Sequence, residues 1–334
     1  MKTLVTGATG FIGTHLVKAL VEKRRDVRCL VRKTSNTKKI EAFNVELFYG
    51  DLLDKQSLED AVEGVDIIHH LAGEVYATKV REYRKNNVDG TKNLLEACYS
   101  KEIVKFIYLS SVAAVGQNLS RGVLLNEESP CYPITPYGKS KFTVEKILLE
   151  AFDIHKVPIV IIRPPIVYGP GQPMVITRFF RMIHKGKFTI IGDGNNTKSF
   201  CYIDNLVQGI LLAEKSEKSV GRIYFMSDSE TYTLNKMVQT IAIEEGVAIS
   251  KKRFPSFISS LSGYLLMVLE KFFGIYSTFL YSIKMMAVDL GCDISRAKKE
   301  LDYYPSVSCQ EGIKKTVQWC KKEGLLRSLF SQSF

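Results

Sequence analysis

A chain of 334 residues, 46% of them apolar and 24% charged, carries enough hydrophobic surface for a large core, which excludes disorder as its default state. The formal net charge of +11 is spread over short clusters such as Glu22-Lys23-Arg24-Arg25 with no aromatic-interleaved basic stripe, so no nucleic-acid partner is expected and most of the clusters read as solvated surface. Seven widely spaced cysteines without a CxxC pair and five histidines without ligand spacing read as free thiols and no metal site.

A strand-like run starts at Lys2 and leads straight into glycines, leaving no room for a secretory segment, so a reducing, cytoplasmic location is expected. Short β-branched runs at 2–5, 26–31, 45–49, 66–71, 104–110 and 157–163 alternate with helical patterns at 13–23, 55–62, 87–100 and 136–152. Such alternation predicts an α/β fold, a Rossmann-type doubly wound parallel sheet, and the near-continuous apolar character of the strands predicts cover on both faces. Adjacent His69 and His70 should point to opposite faces of one strand.

Between the first strand and first helix lies Thr6-Gly7-Ala8-Thr9-Gly10-Phe11-Ile12-Gly13. Gly7, Gly10 and Gly13 suit a tight turn, close approach to a pyrophosphate and close helix packing, with Thr9, Phe11 and Ile12 around them. The spacing is GxxGxxG, where the commoner dinucleotide pattern is GxGxxG. Nineteen residues after Gly13, where a carboxylate would accept from an adenosine ribose, stands Arg32, then Lys33, Thr34 and Ser35. A guanidinium grips a 2′-phosphate with two hydrogen bonds, so NADP(H) is the expected cofactor, with NAD(H) as the alternative if Arg32 is only an exposed basic turn. Asp51 and Leu52 follow the third strand, near the adenine; Leu71, Ala72 and Gly73 close the fourth beside the dinucleotide.

Farther on, Thr135-Pro136 reads as an N-cap and first helical position, which places Tyr137 and Lys141 one turn apart on one helix face. A phenol with its pKa near ~10 is a poor base at neutral pH, and a neighbouring ammonium is expected to favour its phenolate. Ser111, at the end of the fifth strand, is placed to hold a substrate oxygen.

After Tyr168-Gly169-Pro170-Gly171 the regularity fades. The expected division is a dinucleotide-binding domain at 1–168 plus about 200–226, and a smaller, discontinuous substrate-binding domain at about 169–199 plus 227–334. The run 254–288, rich in Leu, Ile, Phe, Tyr and Met, is split by Glu270-Lys271 into pieces shorter than the ~20 residues of a spanning helix. Substrate-pocket helices are the favoured reading, and an amphipathic face on a membrane surface is the other.

With Tyr108-Leu109-Ser110-Ser111, Asn87-Val88-Asp89-Gly90-Thr91 and 163–171 in the same order, the chain resembles the extended short-chain dehydrogenase/reductases of the NAD(P)-dependent epimerase/dehydratase type over nearly its whole length. The resemblance implies a Ser111, Tyr137 and Lys141 catalytic set, with Lys141 also on the nicotinamide ribose. It further implies that Pro164, Ile166 and Val167 line the nicotinamide, that Asn87 is structural, and that the chain forms a homodimer.

Val112, Ala113 and Ala114 follow Ser111 where nucleotide-sugar dehydratases carry an acidic pair, which disfavours dehydration. Lys198 stands where sugar-nucleotide epimerases usually carry an Arg that clamps the diphosphate, so that clamp is expected to be weakened but not lost. The segments 108–116 and 202–206 look like the 3β-hydroxysteroid dehydrogenase and dihydroflavonol reductase branches. The first reading is therefore reversible hydride transfer at a secondary alcohol or ketone of a largely apolar, sterol- or flavonoid-like small molecule. Two alternatives stay open: a nucleotide-sugar 4-epimerase or reductase, and a non-catalytic dinucleotide-binding sensor or assembly factor.

Overall fold

The computed structural model describes residues 1–118, 121–172, 175–250 and 252–326. The last part of the second domain expected from sequence, 327–334, lies outside them. Seven strands make one sheet: β1 (Lys2–Thr6), β2 (Asp26–Val31), β3 (Glu46–Tyr49), β4 (Ile67–His70), β5 (Lys105–Leu109), β6 (Ile159–Arg163) and β7 (Arg222–Phe225). Their spatial order is β7-β6-β5-β4-β1-β2-β3, with every pairing parallel. The expected α/β doubly wound sheet is present, and the first six strands lie where the apolar runs put them.

Alternation along each strand feeds two cores. Val5, Cys29, Ile67, Ile107 and Ile162 face one, packed by the helices Phe11–Glu22 and Ile203–Lys215. Leu4, Leu30, Ile68, Phe106 and Ile161 face the other, under Lys55–Ala61, Gly90–Cys98 and Pro136–His155. Burial on both sides is why these strands read as unbroken apolar runs rather than alternating ones. His69 and His70 do part as expected: His69 Nε2 meets Glu214 at 2.8 Å, while His70 turns toward Thr6 and Thr91.

The chain runs outward from β1 to β3, then returns to β4 on the other flank of β1. A crevice opens at such a switch point, outside the carboxyl ends of the strands, and it is there that ligands of open α/β sheets bind. Because all strands run the same way, Gly7, Arg32, Asp51, Leu71 to Gly73, Ser111 and Pro164 all follow strand ends on that one edge.

Candidate active site

Gly7 leaves β1 with φ +70°, and a Cβ there would sit 2.7 Å from the Ala72 nitrogen, so the turn after β1 presses directly on Leu71 and Ala72. Gly13 is equally constrained by its neighbour: a Cβ would fall 2.1 Å from the Gly7 carbonyl oxygen. Gly10 is the exposed N-cap of helix Phe11–Glu22 and no side chain caps its first turn, which leaves amide donors and the positive dipole end facing outward past half-buried Thr9, Phe11 and Ile12. These residues fit a dinucleotide pyrophosphate.

Arg32 stands one residue past β2, in a turn closed by its own carbonyl accepting from the Ser35 amide at 2.9 Å and its amide donating to Ser35 Oγ at 3.1 Å. Its exposed guanidinium meets no acceptor among the described residues. Asp51 uses one carboxylate oxygen on the Leu53 amide at 2.9 Å, and Leu52 packs on Gly90, where a Cβ would lie 3.0 Å from its own.

Thr135 caps helix Pro136–His155, its hydroxyl accepting from the Gly138 amide at 2.9 Å, with Pro136 opening the helix. One turn apart, Tyr137 and Lys141 then face β5. Ser111 lies close enough to Tyr137 to pull its phenol down, and its hydroxyl accepts from the Ala113 amide at 3.2 Å. The Val112 amide donates to the Pro164 carbonyl at 2.9 Å, tying the Ser111 turn to the end of β6. Lys141 is buried: Nζ donates to the Leu109 carbonyl at 2.7 Å and lies 4.5 Å from the Tyr108 ring centroid and 5.9 Å from that of Tyr137. A Cβ on exposed Gly73 would come within 3.3 Å of Lys141 Nζ. Ile166 and Val167 lie on the strand Ile166–Tyr168, paired with Phe200–Tyr202, and Ile166 is exposed.

The electrostatics correct one expectation. Burial pushes the Tyr137 phenol above its ordinary value; the Ser111 hydrogen bond opposes this, and Tyr76, Tyr281 and Tyr83 add to it. The lysine expected to favour phenolate is itself driven down to about 7 by burial, against the pull of Glu145. An ammonium stripped of water weakens as a cation, so the protein alone holds Tyr137 protonated at neutral pH.

Several supporting residues were not legible from spacing. Glu145, a turn beyond Lys141, makes a buried two-pronged pair with Arg163, 2.9 Å to Nε and 2.7 Å to a terminal nitrogen, and accepts from the Ser110 hydroxyl. The i, i+4 spacing from Lys141 was the one available signal. Asn87, expected as structural, bridges loop and helix: it accepts from the Glu74 amide at 2.6 Å and donates to the Glu74 carbonyl and to Ser140 Oγ at 2.9 Å. It sits in a π-helical turn, Arg84–Asp89, of the kind that clusters at functional sites. His70 joins the network. Thr91 Oγ1 donates to the Asn87 carbonyl at 2.6 Å and so accepts from His70 Nε2 at 2.8 Å, leaving Nδ1 to accept from Thr6 Oγ1 at 2.7 Å. Burial, with Lys141 nearby, drives this imidazole down to about 3 and keeps it neutral.

Above Tyr137 lies an aromatic roof. Tyr83 is 6.3 Å from the Tyr137 ring and 6.1 Å from Tyr276, which in turn is 5.9 Å from Tyr281; Leu266 and Leu280 complete the cluster. Leu266, Tyr276, Leu280 and Tyr281 come from 254–288, so that run does cover the site. Lys198, at the position of the weakened clamp, is engaged inside the protein. It is buried, its ammonium donates to the Met285 carbonyl at 2.6 Å and to the Val288 carbonyl at the end of helix Thr278–Met286, and burial lowers it to about 8. A cation with two of its three protons already on backbone carbonyls, and itself buried, is poorly placed to grip a diphosphate.

Comparison with known proteins adds the ancestry of this arrangement. The model of the NAD dependent epimerase/dehydratase family matches residues 3–226. An uncharacterised protein of Sinorhizobium fredii, y4nL, is 33% identical over 96% of this chain and 95% of its own length. A 2-alkyl-3-oxoalkanoate reductase of Shewanella oneidensis is 28% identical over 93% and 84%, and a UDP-glucose 4-epimerase of Vibrio cholerae is 29% identical over 94% of each. Among solved structures, a UDP-glucuronic acid 4-epimerase of Bacillus cereus in complex with NAD superposes with a TM-score of 0.78 at 26% identity, covering 97% of this chain and 99% of that one.

Proposed function

The chain belongs to the NAD dependent epimerase/dehydratase family, and from that premise we propose that it is an oxidoreductase that moves a hydride reversibly between NADP(H) and a secondary alcohol or ketone carbon of a largely apolar substrate. The nicotinamide, when bound, supplies or accepts the hydride. Ser111 and Tyr137 hold the substrate oxygen between them, and Tyr137, protonated at rest, gives its proton to that oxygen in the reductive direction and takes it back in the other. Lys141, turned toward Gly73 at the end of β4, holds the nicotinamide ribose hydroxyls. Arg32, exposed and without an acceptor among the described residues, is free to take a 2′-phosphate.

One observation carries the choice of substrate. Tyr137 packs in a cluster with Tyr83, Tyr276, Tyr281 and Leu266, and the lysine at the diphosphate-clamp position has two of its three protons on backbone carbonyls. An apolar ketone gains from such a cluster; a sugar nucleotide would leave its phosphates without that partner. The reductase relative from S. oneidensis, whose name describes an alkyl-substituted keto acid, supports this reading. The epimerase relatives support a second one, oxidation and re-reduction at C4 of a nucleotide sugar. Titration with NADPH and NADH, followed by turnover of long-chain ketones and of UDP-sugars, separates them: epimerisation proceeds without added cofactor, ketone reduction consumes it stoichiometrically.

A further inference from the structure

Helix Phe257–Val268 is inside out. Ser259, Ser262 and Leu266 form its buried face, whereas Phe257, Leu261, Tyr264 and Leu265 are between 42% and 64% exposed. Small groups make the contact: Ser259 Oγ donates across to the Lys284 carbonyl at 2.8 Å, a Cβ on Gly263 would lie 3.2 Å from Lys284 Cδ, and buried Ser262 Oγ donates back within its own helix to the Ser259 carbonyl at 2.7 Å. A helix bathed in water buries its large apolar side chains and exposes its serines. The reverse arrangement, small residues at the helix contact and large apolar ones outward, is how helices pack among lipid chains.

The outward stripe continues into the π turn Leu269–Phe273, where Phe272 is 69% exposed. No described helix is long and apolar enough to cross a membrane, so this element would lie in the plane of the interface. Its charges favour an anionic one. Among the described residues 252–288 the ionisable acids and strong bases are Lys252, Arg253, Glu270, Lys271 and Lys284, and the single carboxylate is closed by Lys139 Nζ at 2.8 Å. Exposed Lys79, bridged to Ile275, and Arg81 extend the cationic rim. A second copy of the chain would bring like charge against like on this face, whereas an acidic lipid headgroup layer is complementary to it.

The inner side of the same hairpin bears Leu266 and Tyr276, which pack with Tyr83 beside Tyr137. We propose that the helical hairpin 257–286 seats the protein on an anionic bilayer surface and passes a membrane-dissolved apolar substrate to the site beneath it. The docking surface stands on the inverted helix and its cationic rim; the delivery of substrate rests on the functional reading above.

Full-length protein should cosediment with phosphatidylcholine vesicles containing phosphatidylglycerol, less with phosphatidylcholine alone, and less again as salt is raised. The Leu261→Ser/Phe272→Ser double variant removes two exposed apolar side chains and should partition about a hundredfold less, with an unchanged circular dichroism spectrum and thermal midpoint. Tyr137→Phe should bind vesicles as the wild type does. With a long-chain ketone carried in vesicles the double variant should show a KM raised by about tenfold or more at unchanged kcat, and it should turn over a short water-soluble ketone normally. Absence of binding to the anionic vesicles, an unchanged partition of the double variant, or a dimer in solution that the double variant dissociates would each overturn the docking surface. Vesicle binding without turnover of any ketone would remove the functional reading and leave the docking surface standing, and turnover of soluble ketones without vesicle binding would do the opposite.

Discussion

The Glu145 and Arg163 pair beneath the site gives the sharpest prediction on stability. Both side chains are almost fully buried, at 1% and 2% exposure, and Glu145 satisfies Arg163 through two hydrogen bonds while accepting from Ser110. Glu145→Gln keeps the shape and the acceptor for Ser110 but strands a guanidinium that already has one terminal nitrogen without a partner among the described residues. Leaving one member of a buried pair uncompensated costs about 3 to 5 kcal/mol, most of it desolvation no longer balanced by attraction. Urea denaturation should show this as a fall in midpoint at constant slope. Adding Arg163→Met to Glu145→Gln removes the stranded charge, so the double variant should be more stable than the single one by about 1 to 3 kcal/mol. A single variant within about 1 kcal/mol of the wild type, or a double variant less stable than the single, would refute the idea that the pair is balanced internally.

Lys141 provides a prediction in pH. Its native value, about 7, lies below the ~10.4 of a free lysine, so between those values the unfolded chain binds more protons than the folded one. Stability contributed at this position therefore rises with pH across that window, and below it the cost of the buried ammonium is felt in full; the difference in unfolding free energy between wild type and Lys141→Met should climb from neutral to alkaline pH. Arg32→Ala should weaken NADPH binding about tenfold to a hundredfold while leaving NADH unchanged, measured by fluorescence titration. Gly7→Ala forces a side chain into positive φ against the Ala72 nitrogen, and should lower the melting temperature and abolish binding of both nucleotides.

The sheet was legible because burial on both faces writes the central strands as nearly unbroken apolar runs. β7 was the exception: Arg222–Phe225 is four residues long, begins with an exposed Arg, and has no alternating flank, so only its position suggested a return to the main sheet. The helix pattern from Asn87 onward was read as uniform, whereas the chain winds through a π turn before Gly90–Cys98, since side-chain periodicity does not register one extra residue per turn. Ser111, Tyr137 and Lys141 were legible because a cap fixes the helix start and hence the face. The pKa pattern was not, because desolvation depends on what packs overhead, and the overlying Tyr83 and Tyr276 are remote in sequence. The surroundings of Lys198 were hidden for the same reason: a lysine letter carries no sign that two of its protons go to carbonyls almost ninety residues away. In 254–288 hydrophobicity is so uniform that periodicity could not decide which side faces in, and only the packing of Ser259 and Ser262 reveals it.

Steady-state oxidation of NADPH with a long-chain ketone, comparing wild type with Tyr137→Phe, tests the central claim most directly. Turnover by the wild type should fall about a hundredfold to ten-thousandfold in the variant, with NADPH affinity retained, because only the proton donor to the substrate oxygen has been removed. Equal rates in the two proteins, or turnover confined to UDP-sugars without added cofactor, would contradict it.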